Sequence, residues 1–215
     1  MSKNDKKAAT PQLSAWTGDF GDQYVNRNNF AEWKLDLGVE AFRRMIGSLQ
    51  LVSVLEVGSN IGLNLLYIEK LFGGTVGLHA VEPNQKAFGR LCNENPVKLK
   101  NAWNCTAFEI PLPDASVDLV FTSGVLIHIA PEDLGRVTDE IVRVSKKYVL
   151  CNEYFAHRPE EVSYHGKQGL LWKRDFGLFY KERYPDLQWL KYGFHWEQEF
   201  PFWDNLNWWL FEKKC

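Results

Sequence analysis

The chain has 215 residues, 45% hydrophobic and 24% charged, which suits one soluble domain with a sizeable core and leaves little room for a second. Its formal net charge of -2 lacks the basic excess of a protein that docks on nucleic acid or an anionic membrane, so a small or nucleotide-linked ligand is favoured over a polymer. Cys92, Cys105, Cys151 and Cys215 are scattered without a CxxC pair, which excludes a metal knuckle and a disulfide framework.

Residues 1–14 are polar and lysine-rich without an apolar core, so they are expected to be a disordered tail and not a signal peptide. No apolar run approaches the roughly 20 residues that span a bilayer, and the chain reads as cytoplasmic. The remainder, 15–215, reads as one domain in three stretches. A helical cap or lid covers 15–50, a core covers 51–153, and an insertion with the last strands covers 154–215.

Within the cap, 14–29 is polar, glycine-bearing and aromatic. Trp33, Leu37, Ala41, Met45 and Leu49 then recur every four positions, as on one face of a helix over 30–49. A buried strand is expected at 52–57 and a helix at 63–72, stopped by Gly73 and Gly74. A second strand over 75–81 ends at Glu82, and Asn84 is placed to cap a helix reaching 93. Further strands are expected at 97–103 and 117–122, a helix at 131–144 with acidic residues in its first turn, and a fifth strand at 147–152.

From 153 the rhythm changes. A polar loop over 156–167 leads to a helix around 170–183, then to strands at 187–196 and 206–212. The alternation of strands and helices indicates an α/β fold with right-handed crossovers. The core strands are therefore read as one parallel sheet, with two strand candidates added late in the chain.

The most informative stretch is Glu56-Val57-Gly58-Ser59-Asn60-Ile61-Gly62, where a strand ends, the chain turns and a helix begins. Glycine lets the backbone turn sharply and approach a ligand, and Asn is the side-chain-bearing residue that best tolerates left-handed angles. The spacing differs from the GxGxxG of a dinucleotide enzyme. Glu82, 20 residues beyond Gly62, can accept hydrogen bonds from two ribose hydroxyls.

This turn resembles the E/DxGxGxG motif of class I S-adenosylmethionine-dependent methyltransferases, with Asn60 in place of the middle glycine. The stretch from Cys105 to Val120, containing Pro111-Leu112-Pro113-Asp114, resembles the loop by which that class flanks adenine before its fourth strand. The resemblance implies a Rossmann-like α/β fold, a mostly parallel seven-stranded sheet with an antiparallel last strand and helices on both faces, and S-adenosylmethionine as cofactor, with S-adenosylhomocysteine as product. It assigns Glu56, Gly58, Ser59, Asn60, Gly62, Glu82 and Pro83 to the cofactor. Thr106, Ala107 and Phe108 would flank adenine, and Ser123 and Gly124 would meet the sulfonium. No metal is expected.

The flanks point more narrowly. Gly18-Asp19-Phe20-Gly21-Asp22-Gln23-Tyr24 with Arg27-Asn28, Lys173-Arg174-Asp175-Phe176 and Asn207-Trp208-Trp209 are similar to the methylases associated with pseudaminic acid biosynthesis. That resemblance implies a sugar or nucleotide-sugar acceptor. Tyr24, Arg27 and Asn28 form a compact polar group in which Arg27 is placed to hold the methionine carboxylate; the alternative is an exposed arginine at a helix start.

Transfer from a sulfonium needs alignment and exclusion of water, and a base only if the acceptor must lose a proton. His128, following the fourth strand, leads the candidates, and Glu153, Tyr154 and His157, after the fifth, come next. His79, inside a strand, reads as structural. Two alternatives stay open: a noncatalytic adenosylmethionine-binding or scaffold protein, and a nicotinamide-dependent oxidoreductase.

Overall fold

The computed structural model describes residues 10–214. Three helices come first, α1 (Pro11–Thr17), α2 (Asp19–Arg27) and α3 (Glu32–Ile46). The expected tail is therefore too long by several residues. The Thr10 hydroxyl accepts the Leu13 amide at 3.1 Å and Pro11 opens α1 with its φ already helical, so the first turn is capped and ordered. Residues 1–9 lie outside the described residues.

The core follows as β1 (Ser53–Val57), α4 (Leu63–Leu71), β2 (Gly77–Val81), α5 (Gln85–Asn93), β3 (Leu99–Trp103), β4 (Val117–Ser123), α6 (Pro131–Val144) and β5 (Ser145–Glu153). A two-stranded ribbon, β6 (Glu160–Glu161) with β7 (Trp172–Lys173), precedes α7 (Phe176–Arg183), β8 (Leu187–His195) and β9 (Leu206–Lys213). The helix expected over 170–183 begins only at Phe176, because Asp175 caps it by accepting the Leu178 amide at 2.8 Å. The polar loop before it holds β6. Asn84 caps α5 as expected, accepting the Ala87 amide at 2.8 Å.

The main sheet has seven strands in the order β3-β2-β1-β4-β5-β9-β8. β1 to β5 are mutually parallel, and β9 runs antiparallel to both of its neighbours. This is the expected Rossmann-like architecture. Alternation of side chains places Val54, Leu119 and Phe121 in the apolar layer beneath α3 and α4, and Leu55 and Val120 in the layer beneath α6 and α7. Both faces of the central strands are thus covered, which explains their continuous apolar sequences. Among the described residues no helix is long and apolar enough to cross a membrane.

Candidate active site

The β1–α4 turn holds three residues in left-handed conformation, Gly58 (φ 77°), Asn60 (φ 49°) and Gly62 (φ 81°). A Cβ on Gly58 would lie 2.6 Å from Val125 Cγ2, so this position needs glycine both for its angle and for the close approach of the loop after β4. Asn60 adopts the left-handed angle at which the sequence pattern places a glycine. Gly58 and Ser59 donate their amides to the Val81 carbonyl at 2.8 and 3.1 Å, tying the turn to the end of β2.

Glu82 joins the two turns. Its Oε2 accepts the Asn60 amide and its Oε1 the Asn84 amide, each at 2.7 Å. Burial nevertheless pushes its pKa up to about 7. Glu56 accepts from the Asn64 side chain at 2.7 Å, and burial, with a smaller contribution from the Glu82 charge, holds its carboxyl well above the usual range.

The loop after β4 is braced from below. Glu153 is fully buried, and its Oε1 accepts the amides of Val125 and Leu126, both at 3.1 Å. His128 Nδ1 lies 2.7 Å from the Leu170 carbonyl and donates to it, leaving Nε2 without a partner among the described residues. Burial lowers its pKa to about 4, so the imidazole is neutral. Its ring packs 4.3 Å from that of Trp16 and 5.2 Å from that of Tyr164, centroid to centroid.

The glycine turn, Glu56, Glu82 and the loop after β4 line one cavity of about 340 Å³ at the carboxyl edge of the parallel strands. That size lies within the range of small-molecule sites. Tyr24, Asn28, Glu56, Gly58, Ser59, Asn60, Glu82, Pro83, Thr106, Ala107, Phe108, Ser123, Gly124 and His128 all face it. Gly62 sits behind the wall as the cap of α4.

Three further expected site residues lie outside the cavity lining. Arg27 is exposed and does not line the cavity. Tyr24 and Asn28, four positions apart, share the inward face of α2, so Arg27 projects to the rim, where its guanidinium lies over the Tyr24 ring and 3.1 Å from His165 Nε2. Glu153 lies under the loop, because alternation along β5 turns it away from the cavity side to which Tyr154 points. His157 is exposed and packs on Phe155, outside the cavity lining.

Sequence reasoning missed Trp16, Tyr164 and Asp204, which close the cavity from α1, the 156–167 loop and the turn before β9. His79 is structural, stacked on Trp103 at 5.9 Å. His195 is buried among Phe200, Trp203 and Trp208. Of the charged run near 174, Asp175 is the α7 cap, Lys173 lies over Tyr154 and Arg174 over Phe179.

The sheet order and this turn define the class I methyltransferase fold. The chain is similar to the solved structure of the 1,6-didemethyltoxoflavin-N1-methyltransferase of Burkholderia thailandensis, bound to 1,6-didemethyltoxoflavin and S-adenosylhomocysteine. The TM-score is 0.72 and the identity 13%, over 97% of this chain and 91% of that one. Magnesium protoporphyrin IX methyltransferase of Synechocystis PCC 6803, with bound S-adenosylmethionine, superposes with TM-score 0.64 at 10% identity, over 94% of each chain. A SAM-dependent methyltransferase of Aquifex aeolicus gives 0.64 at 16% identity, over 89% of this chain and 98% of that one. Residues 55–151 match the family model described as "Methyltransferase domain". That match covers under half of the chain and, with the shared fold, supports S-adenosylmethionine-dependent methyl transfer as its activity.

The lining fits this cofactor. Glu56 Oε2, Asn60 Oδ1, Tyr67 Oη and Trp16 Nε1 are buried and have no partner within the described residues, although all four residues line the cavity. Such atoms are costly unless a ligand pairs them. Each Glu82 oxygen accepts one amide and keeps a second lone pair for a ribose hydroxyl.

Proposed function

We propose that the chain methylates an oxygen or nitrogen of a small, polar, sugar-like acceptor. The carrying observation is that one cavity joins the Gly58–Gly62 turn and Glu82, on one side, to His128 and an aromatic cluster, on the other. Glu82 and the turn would hold the ribose, residues 106–108 the adenine, and the Glu56 carboxylate the ammonium of the methionine part. When bound, S-adenosylmethionine supplies an electrophilic methyl group on a sulfonium.

The chain's own residues orient and shield. Trp16 and Tyr24, from α1 and α2, roof the cavity and exclude water, with ring centroids 5.3 Å apart. We read residues 15–50 as a lid on this roof, 51–153 as the cofactor-binding core and 154–215 as the acceptor side. Neutral His128 offers Nε2 as a hydrogen-bond acceptor beside Gly124. A sugar-like acceptor is supported by the resemblance of the flanks and by the aromatic walls. The basic rim of Arg27, His165 and Lys167, around Tyr24 and Phe20, suits the carboxylate of a sugar acid or the phosphate of a nucleotide sugar.

Calorimetric titration tests the cofactor side. S-adenosylhomocysteine binds and NAD does not. Glu82→Ala weakens that binding by roughly 1.5–3 kcal/mol, the worth of hydrogen bonds to a charged group. Tight NAD binding with silence toward S-adenosylhomocysteine refutes the reading, and unchanged affinity in the variant removes Glu82 from the site.

A further inference from the structure

Tyr154, a candidate from its place after the fifth strand, meets Asp204, which no motif marks, at the wall of the cavity. Tyr154 directly follows β5, and Asp204 lies in the turn that leads into β9. Because β9 runs antiparallel beside β5, with Glu153 opposite Asn207, both emerge at the carboxyl edge of the parallel strands. Both line the cavity, and the Tyr154 hydroxyl donates to Asp204 Oδ2. Among the described residues, Oδ1 takes no hydrogen bond and no Lys, Arg or His pairs with this carboxylate.

The other acids facing the cavity stand at its opposite side, by the glycine turn and the 106–108 loop. Glu56 and Glu82 serve the glycine turn. Asp133 lies on α6, one turn from Arg136, whose guanidinium sits 4.9 Å from the Phe108 centroid, beside the 106–108 loop. His128 already gives one nitrogen to Leu170 and is boxed between Trp16 and Tyr164.

We propose that Asp204, braced by Tyr154, accepts the proton of an acceptor hydroxyl, which makes the chain an O-methyltransferase acting on an alcohol. This rests on the methyl-transfer reading above. An alcohol arrives neutral with a lone pair free. As its oxygen bonds to the methyl carbon, the carbon–sulfur bond breaks and its electron pair stays on sulfur. The oxygen turns positive, its O–H becomes strongly acidic, and the proton passes to the Asp204 carboxylate and on to water. A weak base suffices for that step. An amine is mostly ammonium near neutral pH and attacks only as the free base, so its proton goes to water before binding and a carboxylate at the reacting atom has no proton to take before attack. The donated Tyr154 bond fixes Oδ2 and leaves Oδ1 for the acceptor.

The test offers methyl-labelled S-adenosylmethionine with a panel of monosaccharides, sugar acids and nucleotide sugars, and with a matched panel of amines. Label is expected in methyl ethers. Asp204→Asn should lower turnover on the best hydroxyl compound by roughly 10²–10⁴-fold, the worth of a general base, with S-adenosylhomocysteine affinity unchanged. Without turnover, Asp204→Ala should weaken binding of that compound to the S-adenosylhomocysteine complex by about tenfold or more, read by calorimetry. Label confined to amines, no labelled hydroxyl compound, or full activity in Asp204→Asn overturns the proposal. Failure of the unaltered protein to bind S-adenosylhomocysteine overturns the methyl-transfer reading instead.

Discussion

Replacing Glu153 by glutamine isolates the cost of burying a charge under the loop after β4. The carboxylate is fully buried and accepts two amides at 3.1 Å, with no cation beside it among the described residues. Burial pushes its pKa from the usual 4.5 up to about 7, against the smaller opposing effect of its hydrogen bonds. Between those values the native state holds a proton that the unfolded chain has lost. Stability therefore falls as pH rises from about 4.5 through about 7. At about 1.4 kcal/mol per pH unit, the loss is about 3 kcal/mol by pH 8.

Glu153→Gln keeps an acceptor oxygen for the two amides and does not titrate. Its stability relative to the native protein should improve by about 3 kcal/mol between pH 4.5 and pH 8. Glu82 titrates in the same direction but is present in both proteins, so it cancels in the comparison. Urea unfolding at pH 4.5, 6, 7 and 8, without ligand, gives the two profiles. Profiles parallel to within about 0.5 kcal/mol would refute the reasoning and return Glu153 to an accessible position.

Two further outcomes follow from the site. His128→Asn should leave S-adenosylhomocysteine affinity intact and lower turnover independently of pH. The loss should be below the roughly 10²–10⁴-fold of a missing general base, because the role proposed for this imidazole is to orient the acceptor. Unchanged turnover would remove it from the acceptor site. Proteolysis within Gly18 to Gly21, the α1–α2 junction and the first turn of α2, should slow when S-adenosylhomocysteine is present, because Trp16 and Tyr24 on either side roof the cavity. Identical cleavage with and without ligand argues for a static segment.

The glycine-turn side of the cavity was legible because its signals are local. A turn that needs left-handed angles shows itself as Gly58, Asn60 and Gly62, and an acid closing a strand shows itself as Glu82. The acceptor half was not, since Trp16, Tyr164 and Asp204 converge from segments far apart in the chain, and no spacing rule links them. Glu153 illustrates a finer limit. Its place at the end of β5 was right, but which way a strand residue points depends on register, and one position separates the buried Glu153 from the cavity-facing Tyr154. Arg27 failed for the helical counterpart of that reason, lying one residue off the inward face of α2. The premature start of the helix at 170 arose because its apolar spacing does not reveal that Asp175 spends its side chain on a cap.

The position of β9 also governs how the chain can be made. It is the last strand in order of synthesis, yet it lies between β5 and β8. Until residue 213 has left the ribosome, the nascent protein can assemble only the five parallel strands, and β8 has no strand to join. During that interval β5 presents an open edge carrying Val149, Leu150 and Cys151, all buried in the finished protein. An apolar unpaired edge is a template for association with other chains. A single segment of eight residues ends that exposure. Slowed translation through the final hairpin would therefore lengthen the period of aggregation risk without changing the stability of the finished fold.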